Sequence, residues 1–233
     1  MYTFDSRIRY SECDYREKLN IYGMINYFQD CSTFQSESTG AGVLAMHEQN
    51  LVWVVSFWQI DVFKYPQLGD KVTVGTFPYD YRGFFGKRNF FMKDENGEFL
   101  AKADSLWTLL NYETSKPERV TEEIAGVYGL GDKLDMDYEK GKILPLDTME
   151  EKSPITVMDS HLDANMHVNN GQFVGMIMNL IETADYKRLK VEYRKMARKG
   201  EILIPYVGND DNKTVVILKN KDNDVCSAME FIK

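Results

Sequence analysis

The stretch Asp163-Ala-Asn-Met-His167-Val-Asn-Asn170 decides how the chain is read. Asp163, Asn165, His167, Asn169 and Asn170 crowd into eight residues, and His167 is one of only three histidines. Phe173, Val174, Ile177, Met178 and Ile181 follow at helical spacing. Asn169 or Asn170 then caps a helix, and the polar residues occupy the loop that enters it. The same arrangement occurs earlier in weaker form. Setting Asp14 against Asp163 places Lys18 opposite His167 and Asn20 opposite Asn169; Met24, Ile25 and Phe28 fall on Phe173, Val174 and Ile177. Further on, Ile60-Asp-Val62 matches Val191-Glu-Tyr193, with Lys64 on Lys195 and Gly69-Asp70 on Gly200-Glu201. Met92-Lys93 through Ala103 resembles Ile217-Leu-Lys219 through Ala228. Three weak matches in one order indicate a duplicated unit of strand, helix and antiparallel strands.

The rest of the chain fits that unit. Tyr2 to Tyr10 alternates as a strand, and Ser11 to Asn20 is a polar loop. Ile21, Met24, Ile25, Phe28 and Phe34 mark a buried helix of about four to five turns, ended by Gly40 and Gly42. Leu51 to Tyr65, Lys71 to Phe77, Gly86 to Lys93 and Glu98 to Asn111 read as strands, the last two joined over Asp94-Glu-Asn-Gly97. A charged, glycine-broken stretch over 112–150 reads as a linker with a short helix near Thr121 to Ala125. The expected fold is α+β: two tandem halves, each an antiparallel sheet wrapped around a long central helix. The expected divisions are 1–125, a linker over 126–150, and 151–233. A ligand site is expected between the copies. Only the second copy carries the full polar constellation, so it is expected to do the chemistry while the first shapes a pocket.

Composition narrows the function classes. A chain of 233 residues, 43% hydrophobic, can bury a large core. It contains no apolar run of about 18 residues, so no membrane span is expected. The start, Met1-Tyr-Thr-Phe-Asp-Ser-Arg7, does not resemble a secretory signal. Cys13, Cys31 and Cys226 are odd in number and widely spaced, as expected of cytoplasmic thiols rather than disulfides or a zinc site. Glycine-rich phosphate loops and HExxH spacing are absent, so neither cofactor nor metal is expected. A net charge of −8 disfavours nucleic acid as a partner. Even so, Lys187, Arg188, Lys190, Arg194, Lys195, Arg198 and Lys199 place seven cations in thirteen residues, with Glu192 the one acid among them. Such a run is a solvated strand edge or a docking patch for an acidic partner.

On these residues the chain resembles the acyl-[acyl-carrier-protein] thioesterases, a family of tandem hot-dog enzymes. Leu162-Asp-Ala-Asn-Met-His-Val-Asn-Asn170 looks like the family's D-x-N-x-H-V-N-N motif. Leu51 to Tyr65 with Pro66 and Gly69-Asp70, Ala103-Asp-Ser-Leu-Trp107 and Val191-Glu-Tyr-Arg-Lys195 support it. The resemblance implies hydrolysis of a fatty acyl thioester on acyl carrier protein, and catalytic roles for Asp163, Asn165 and His167. Plant members carry a Glu-Cys pair where this chain has Met196 and Ala197. No cysteine nucleophile is therefore expected, and Glu201, Glu192 and Glu182 are candidates for the missing carboxylate. An acidic carrier protein gives the basic run a meaning, with Lys187, Arg188, Arg194, Lys195, Arg198 and Lys199 as docking residues.

A thioester needs a polarised carbonyl and an activated water. Backbone N–H groups of Val168, Asn169 and Asn170 at the helix start are candidates for the first. His167 is a candidate base, with Asp163 as the alternative, and Asn165 suits positioning. Trp53, Phe57, Trp58, Phe84, Phe85 and Trp107 are candidate tunnel-lining residues; His47 and His161 receive no role. An acyl-CoA thioesterase, a hydratase or dehydratase of the same fold, and a catalytically weak acyl-binding module remain as alternatives. Two halves in one chain satisfy the usual pairing of such units and leave a homodimer open.

Overall fold

The computed structural model describes residues 1–139 and 141–233; residue 140, inside the expected linker over 126–150, lies outside the described set. The chain divides into two compact units. One comprises Met1–Ser56 and Ile60–Tyr138, the other Phe57–Gln59 and Glu139–Lys233.

The first unit contains β1 (Tyr2–Arg7), α1 (Ile21–Ser38), α2 (Val43–Glu48), β2 (Leu51–Val62) except for Phe57–Gln59, β3 (Lys71–Arg82), β4 (Phe85–Asp94), β5 (Phe99–Asn111) and α3 (Glu122–Tyr128). Its strands lie in the order β1-β3-β4-β5-β2, and β1, β3, β4 and β5 pair antiparallel. Helix α1 begins where Asn20 Oδ1 accepts the Gly23 N–H at 2.7 Å, satisfying one free donor of the first turn. It buries Ile21, Met24, Ile25, Phe28 and Cys31, packs on β3 and β1, and sets Phe28 against Phe90 of β4. Gly40, at φ +75°, provides the left-handed residue after its last turn. Helix α2 was not anticipated; six residues are too few for a helical period to register.

Residues 134–138, inside the expected linker, are tied to this sheet. The Leu134 N–H and the Tyr138 hydroxyl both donate to Asn89 Oδ1, and Lys102 Nζ donates to the Asp135 carbonyl. Nearby, the Tyr79 hydroxyl donates to Asp104 Oδ1 at 2.8 Å. Burial raises the Asp104 carboxyl to about 6, against the opposing pull of Tyr79, Lys133 and Lys87. Between the ordinary carboxylate range and about pH 6 the folded chain holds a proton that the unfolded chain has lost. Stability falls as pH rises through that window. Asp104→Asn, which keeps an oxygen for Tyr79, is expected to add about 1–2 kcal/mol at pH 7.5 and nothing at pH 4. Urea denaturation at the two pH values measures this.

The second unit contains β6 (Glu150–Glu151), β7 (Ile155–Thr156), α4 (Asn170–Gly175), β8 (Arg188–Tyr193), β9 (Ile202–Asn209), β10 (Lys213–Lys219) and β11 (Val225–Ile232). The order is β8-β11-β10-β9-β6, with β7 also paired to β9. The long central helix expected here is shortened. Helix α4 ends at Gly175, and a 3-10 turn at Met178–Leu180 follows. Gly171 and Gly175 bracket the run, each costing about 1 kcal/mol relative to alanine in a helix. Phe173, Val174 and Ile177 are buried nonetheless, so the apolar spacing was real while the helix is short.

The duplication extends to individual hydrogen bonds. In the first unit's β4–β5 turn, Asp94 Oδ1 accepts from the Asn96 and Glu98 N–H groups, and Gly97 has φ +83°. In the second unit's β10–β11 turn, Asn220 Oδ1 accepts from Asp222 and Asp224, and Asn223 has φ +66°. Both hairpins slip register at the same place, Met92/Lys93 and Leu218/Lys219.

Candidate active site

The polar loop before α4 is shaped by Asp163. Its Oδ1 accepts the Asn165 N–H at 2.8 Å and the His167 N–H at 3.2 Å. Its own N–H donates to the His167 carbonyl at 2.8 Å, and Met166 takes φ +60° at the bend. Short polar side chains stabilise turns by this kind of bond to nearby backbone. The first copy repeats it: Asp14 Oδ1 accepts from Arg16 at 2.8 Å and Lys18 at 3.2 Å, and Glu17 takes φ +61°. The loop geometry therefore belongs to both copies, and the chemistry is what each copy hangs on it. Where the second copy has Asn165, the first has Arg16, whose guanidinium pairs with Asp14 Oδ2.

Asn165 and His167 are the distinctive groups. Asn165 Oδ1 is buried and has no hydrogen-bond partner among the described residues. A buried amide oxygen without a donor is costly unless something supplies one. His167 is half-buried, and its Nε2 accepts the Arg198 Nε–H at 3.3 Å. Burial depresses the imidazole pKa, Arg198 depresses it further, and Asp163 and Glu201 oppose the shift. The ring is thus neutral at neutral pH, with the lone pair on Nε2. Asn169 caps α4 by accepting the Gly171 N–H at 2.8 Å. His161 takes the Met158 N–H on its Nδ1 at 3.0 Å and so closes the preceding turn.

Two expectations need correction. The Val168 N–H donates to the Ala197 carbonyl and the Asn169 N–H to the His161 carbonyl, both at 2.9 Å. Those donors are committed to the fold and cannot form the expected oxyanion site. Asn170 opens a helix of six residues, and its carbonyl accepts the Tyr193 hydroxyl at 2.8 Å. The expected docking patch is also largely neutralised. Arg188 pairs with Glu139, Arg194 with Glu192, Lys195 with Asp224 and Lys199 with Asp159. Arg198 is directed at His167, which leaves Lys187 as the exposed member without a carboxylate among the described residues. The reason is that Glu139, Asp159 and Asp224 come from loops and turns distant in the sequence, invisible in a linear run of cations, while Glu192 lies within the run.

Of the three candidate carboxylates, Glu201 reaches His167 electrostatically, whereas Glu192 pairs with Arg194 and Glu182 with Lys233. Position 197 lies against the motif through the Val168–Ala197 bond, with Met196 beside it. No thiol is activated: burial raises Cys13 and Cys226 and pushes Cys31 to about 12. Among the proposed tunnel aromatics, Trp58 is fully buried, Trp53, Phe57, Phe85 and Trp107 are half-buried, and Phe84 is exposed at the β3–β4 turn. Phe84 is therefore not a lining residue. Arg198, read from the sequence as a docking cation, sits instead on the candidate base. The repeat held the signal: Lys18 bridges Gln67 in the first copy, and the two registers carry that pair onto His167 and Arg198.

Residues 1–128 match the family profile described as the acyl-ACP thioesterase N-terminal domain, and residues 146–228 the C-terminal domain. A chloroplastic palmitoyl-acyl carrier protein thioesterase of Arabidopsis thaliana is 30% identical over 170 residues, 68% of this chain and 41% of that protein. The corresponding protein of Gossypium hirsutum is 26% identical over 226 residues, 89% of this chain and 54% of that protein. The chain thus spans about half the length of these curated relatives. An acyl-ACP thioesterase structure from Bacteroides thetaiotaomicron superimposes with a TM-score of 0.89 at 22% identity, covering 99% of this chain and 96% of the other. The 12:0-ACP thioesterase of Umbellularia californica gives 0.85 at 22% identity, covering 99% and 96%. At such identities the likeness establishes the tandem hot-dog fold. The domain matches along most of its length make the chain a member of the acyl-ACP thioesterase family.

Proposed function

We propose that the chain hydrolyses fatty acyl thioesters carried on acyl carrier protein, releasing the free fatty acid, with water as the nucleophile at His167. The carrying observation is a neutral, half-buried imidazole two residues along the loop from the Asn165 Oδ1, which is buried and without a partner among the described residues, in a family defined by this reaction. In this reading the long Arg198 contact gives way to water, and His167 Nε2 takes a proton from that water as its oxygen attacks the thioester carbon. The Asn165 amide holds the water or the carbonyl oxygen. The tetrahedral intermediate expels the thiolate, which recovers the proton from His167; a thiol pKa of about 8.5 makes this leaving group undemanding. Asp163 keeps the loop in shape, and Arg198 keeps the imidazole unprotonated. The N-terminal unit, around 1–125, is the proposed acyl-chain domain, and 151–233 the catalytic one. The free cysteines favour a reducing compartment such as the cytoplasm. No helix among the described residues is long and apolar enough to cross a membrane.

Thiol release from a series of acyl lengths, on carrier protein and on CoA, tests the reading, with faster turnover on the carrier expected. Equal turnover on CoA identifies an acyl-CoA thioesterase instead. Arg198 adds a second handle. A base with a depressed pKa keeps working as pH falls below the ordinary histidine range. Arg198→Met removes the cation, so His167 gains a proton more readily and the acid limb of kcat/KM moves to higher pH. An unmoved limb in that variant argues against Arg198 tuning His167.

A further inference from the structure

Methionines rim the candidate site. Among the described residues the exposed methionines are Met1, Met158, Met166 and Met196, the last three at 56%, 63% and 39% of full exposure. Each of those three stands on one of the segments laced together around His167. Met158 follows Val157, whose N–H donates to the Glu201 carbonyl and whose carbonyl accepts the Gly200 N–H, both at 2.9 Å. Met166 precedes His167, whose Nε2 takes the Arg198 Nε–H. Met196 precedes Ala197, whose carbonyl accepts the Val168 N–H at 2.9 Å.

The first copy shows that the fold itself does not require them. It carries the same lattice of bonds: the Ile8 N–H donates to the Asp70 carbonyl at 2.9 Å, the Gly69 N–H to the Ile8 carbonyl at 3.0 Å, and the Leu19 N–H to the Pro66 carbonyl at 2.9 Å. In these registers Arg9, Glu17 and Tyr65 occupy the places of Met158, Met166 and Met196. Glu17 and Met166 even share the bend, at φ +61° and +60°. Arg9 and Glu17 are the charged residues that exposed positions usually hold. Methionine there gives up the favourable burial of its apolar area. Three such positions, in the copy that carries the histidine and not in the other, keep apolar surface open for a partner to cover. An unbranched, polarisable thioether adapts to an irregular partner surface.

Charge narrows the partner. Arg194, Lys195, Arg198 and Lys199 put four cations in the six residues around Met196, without an acid, on a chain of net charge −8. The Lys195–Asp224 and Lys199–Asp159 pairs are exposed on both sides, so they contribute little and can exchange for a partner's carboxylates. An apolar rim beside such cations fits a surface that mixes apolar and acidic side chains. A thioester that reaches His167 on an acidic carrier protein brings such a surface against this rim.

We propose that Met158, Met166 and Met196 form the docking surface for the acyl carrier protein, contacting the protein part of the donor. This rests on the reading of the chain as an acyl carrier protein thioesterase. CoA presents a thioester without that protein surface, so the rim acts on one donor only.

The test compares the full chain on one acyl group carried by carrier protein and by CoA. The triple variant Met158→Gln, Met166→Gln, Met196→Gln keeps side-chain length and removes the thioethers. It is expected to raise KM for the acyl carrier protein about tenfold and to hold acyl-CoA turnover within about twofold, which also reports an intact fold. Tyr10→Gln with Tyr15→Gln, at exposed tyrosines of the first copy's loop, is expected to change neither donor. Equal losses on both donors in the methionine variant, an unchanged carrier KM, or the same selective loss in the tyrosine variant overturns the docking surface. If the wild type releases thiol from neither donor, the thioesterase reading fails, and calorimetric binding of the acyl carrier protein decides. Binding weakened about tenfold in the methionine variant supports the surface, and equal or absent binding overturns it.

Discussion

His167→Ala is expected to lower kcat for acyl thioester hydrolysis by about 10²–10⁴-fold, the range a positioned general base supplies. The fold should survive the change. The side chain is half-buried, and its ring is bonded through Nε2 to Arg198 at 3.3 Å, a long and weak bond. The loop around it is held by backbone groups and Asp163 instead. Thermal unfolding of the variant is therefore expected within a few degrees of the wild type while thiol release collapses. Unchanged release would make His167 a structural residue and favour an acyl-binding role.

The second large effect separates two jobs for Asp163. Asp163→Ala deletes the acceptor of two backbone N–H groups and is expected to cost about 1–3 kcal/mol of stability, with activity down about 100-fold as the loop loosens. Asp163→Asn keeps an oxygen at the Oδ1 position and is expected to stay within about tenfold of wild-type activity, because a neutral amide oxygen still accepts both bonds. If Asp163 were itself the base, the asparagine variant would be as inactive as the alanine one. Asp14 makes the same two bonds at the same distances in a loop without a histidine, which is why the structural role is favoured.

The duplication could be read from the sequence because it is written in short polar signals. Aspartate shapes the loop, asparagine caps the helix, and an Asp-x-x-Gly or Asn-x-x-Asn turn reverses the strands; each acts over a few residues. The length of α4 could not be read this way. Phe173, Val174 and Ile177 are buried at helical spacing whether the backbone continues as a helix or stops at Gly175. The motif residues Asp163, Asn165 and His167 were likewise legible as one loop. What the linear order hid is which groups meet across strands. Seven cations in a row suggested a patch, yet their acids stand on other segments: Glu139, Asp159 and Asp224. Arg198 looked like one more surface charge and lies against the candidate base. The free N–H groups expected at Val168 and Asn169 disappeared for a related reason, since their acceptors come from residues 197 and 161.

The most direct test mixes the full chain with excess fatty acyl-carrier protein, quenches within the first turnovers, and reads free thiol and the intact mass of the chain together. Water acting at His167, with every cysteine thiol raised by burial, predicts steady thiol release and no acyl group on the protein at any time. A chain that gains the mass of the acyl group before thiol release becomes steady, or that releases no thiol at all, would contradict the account.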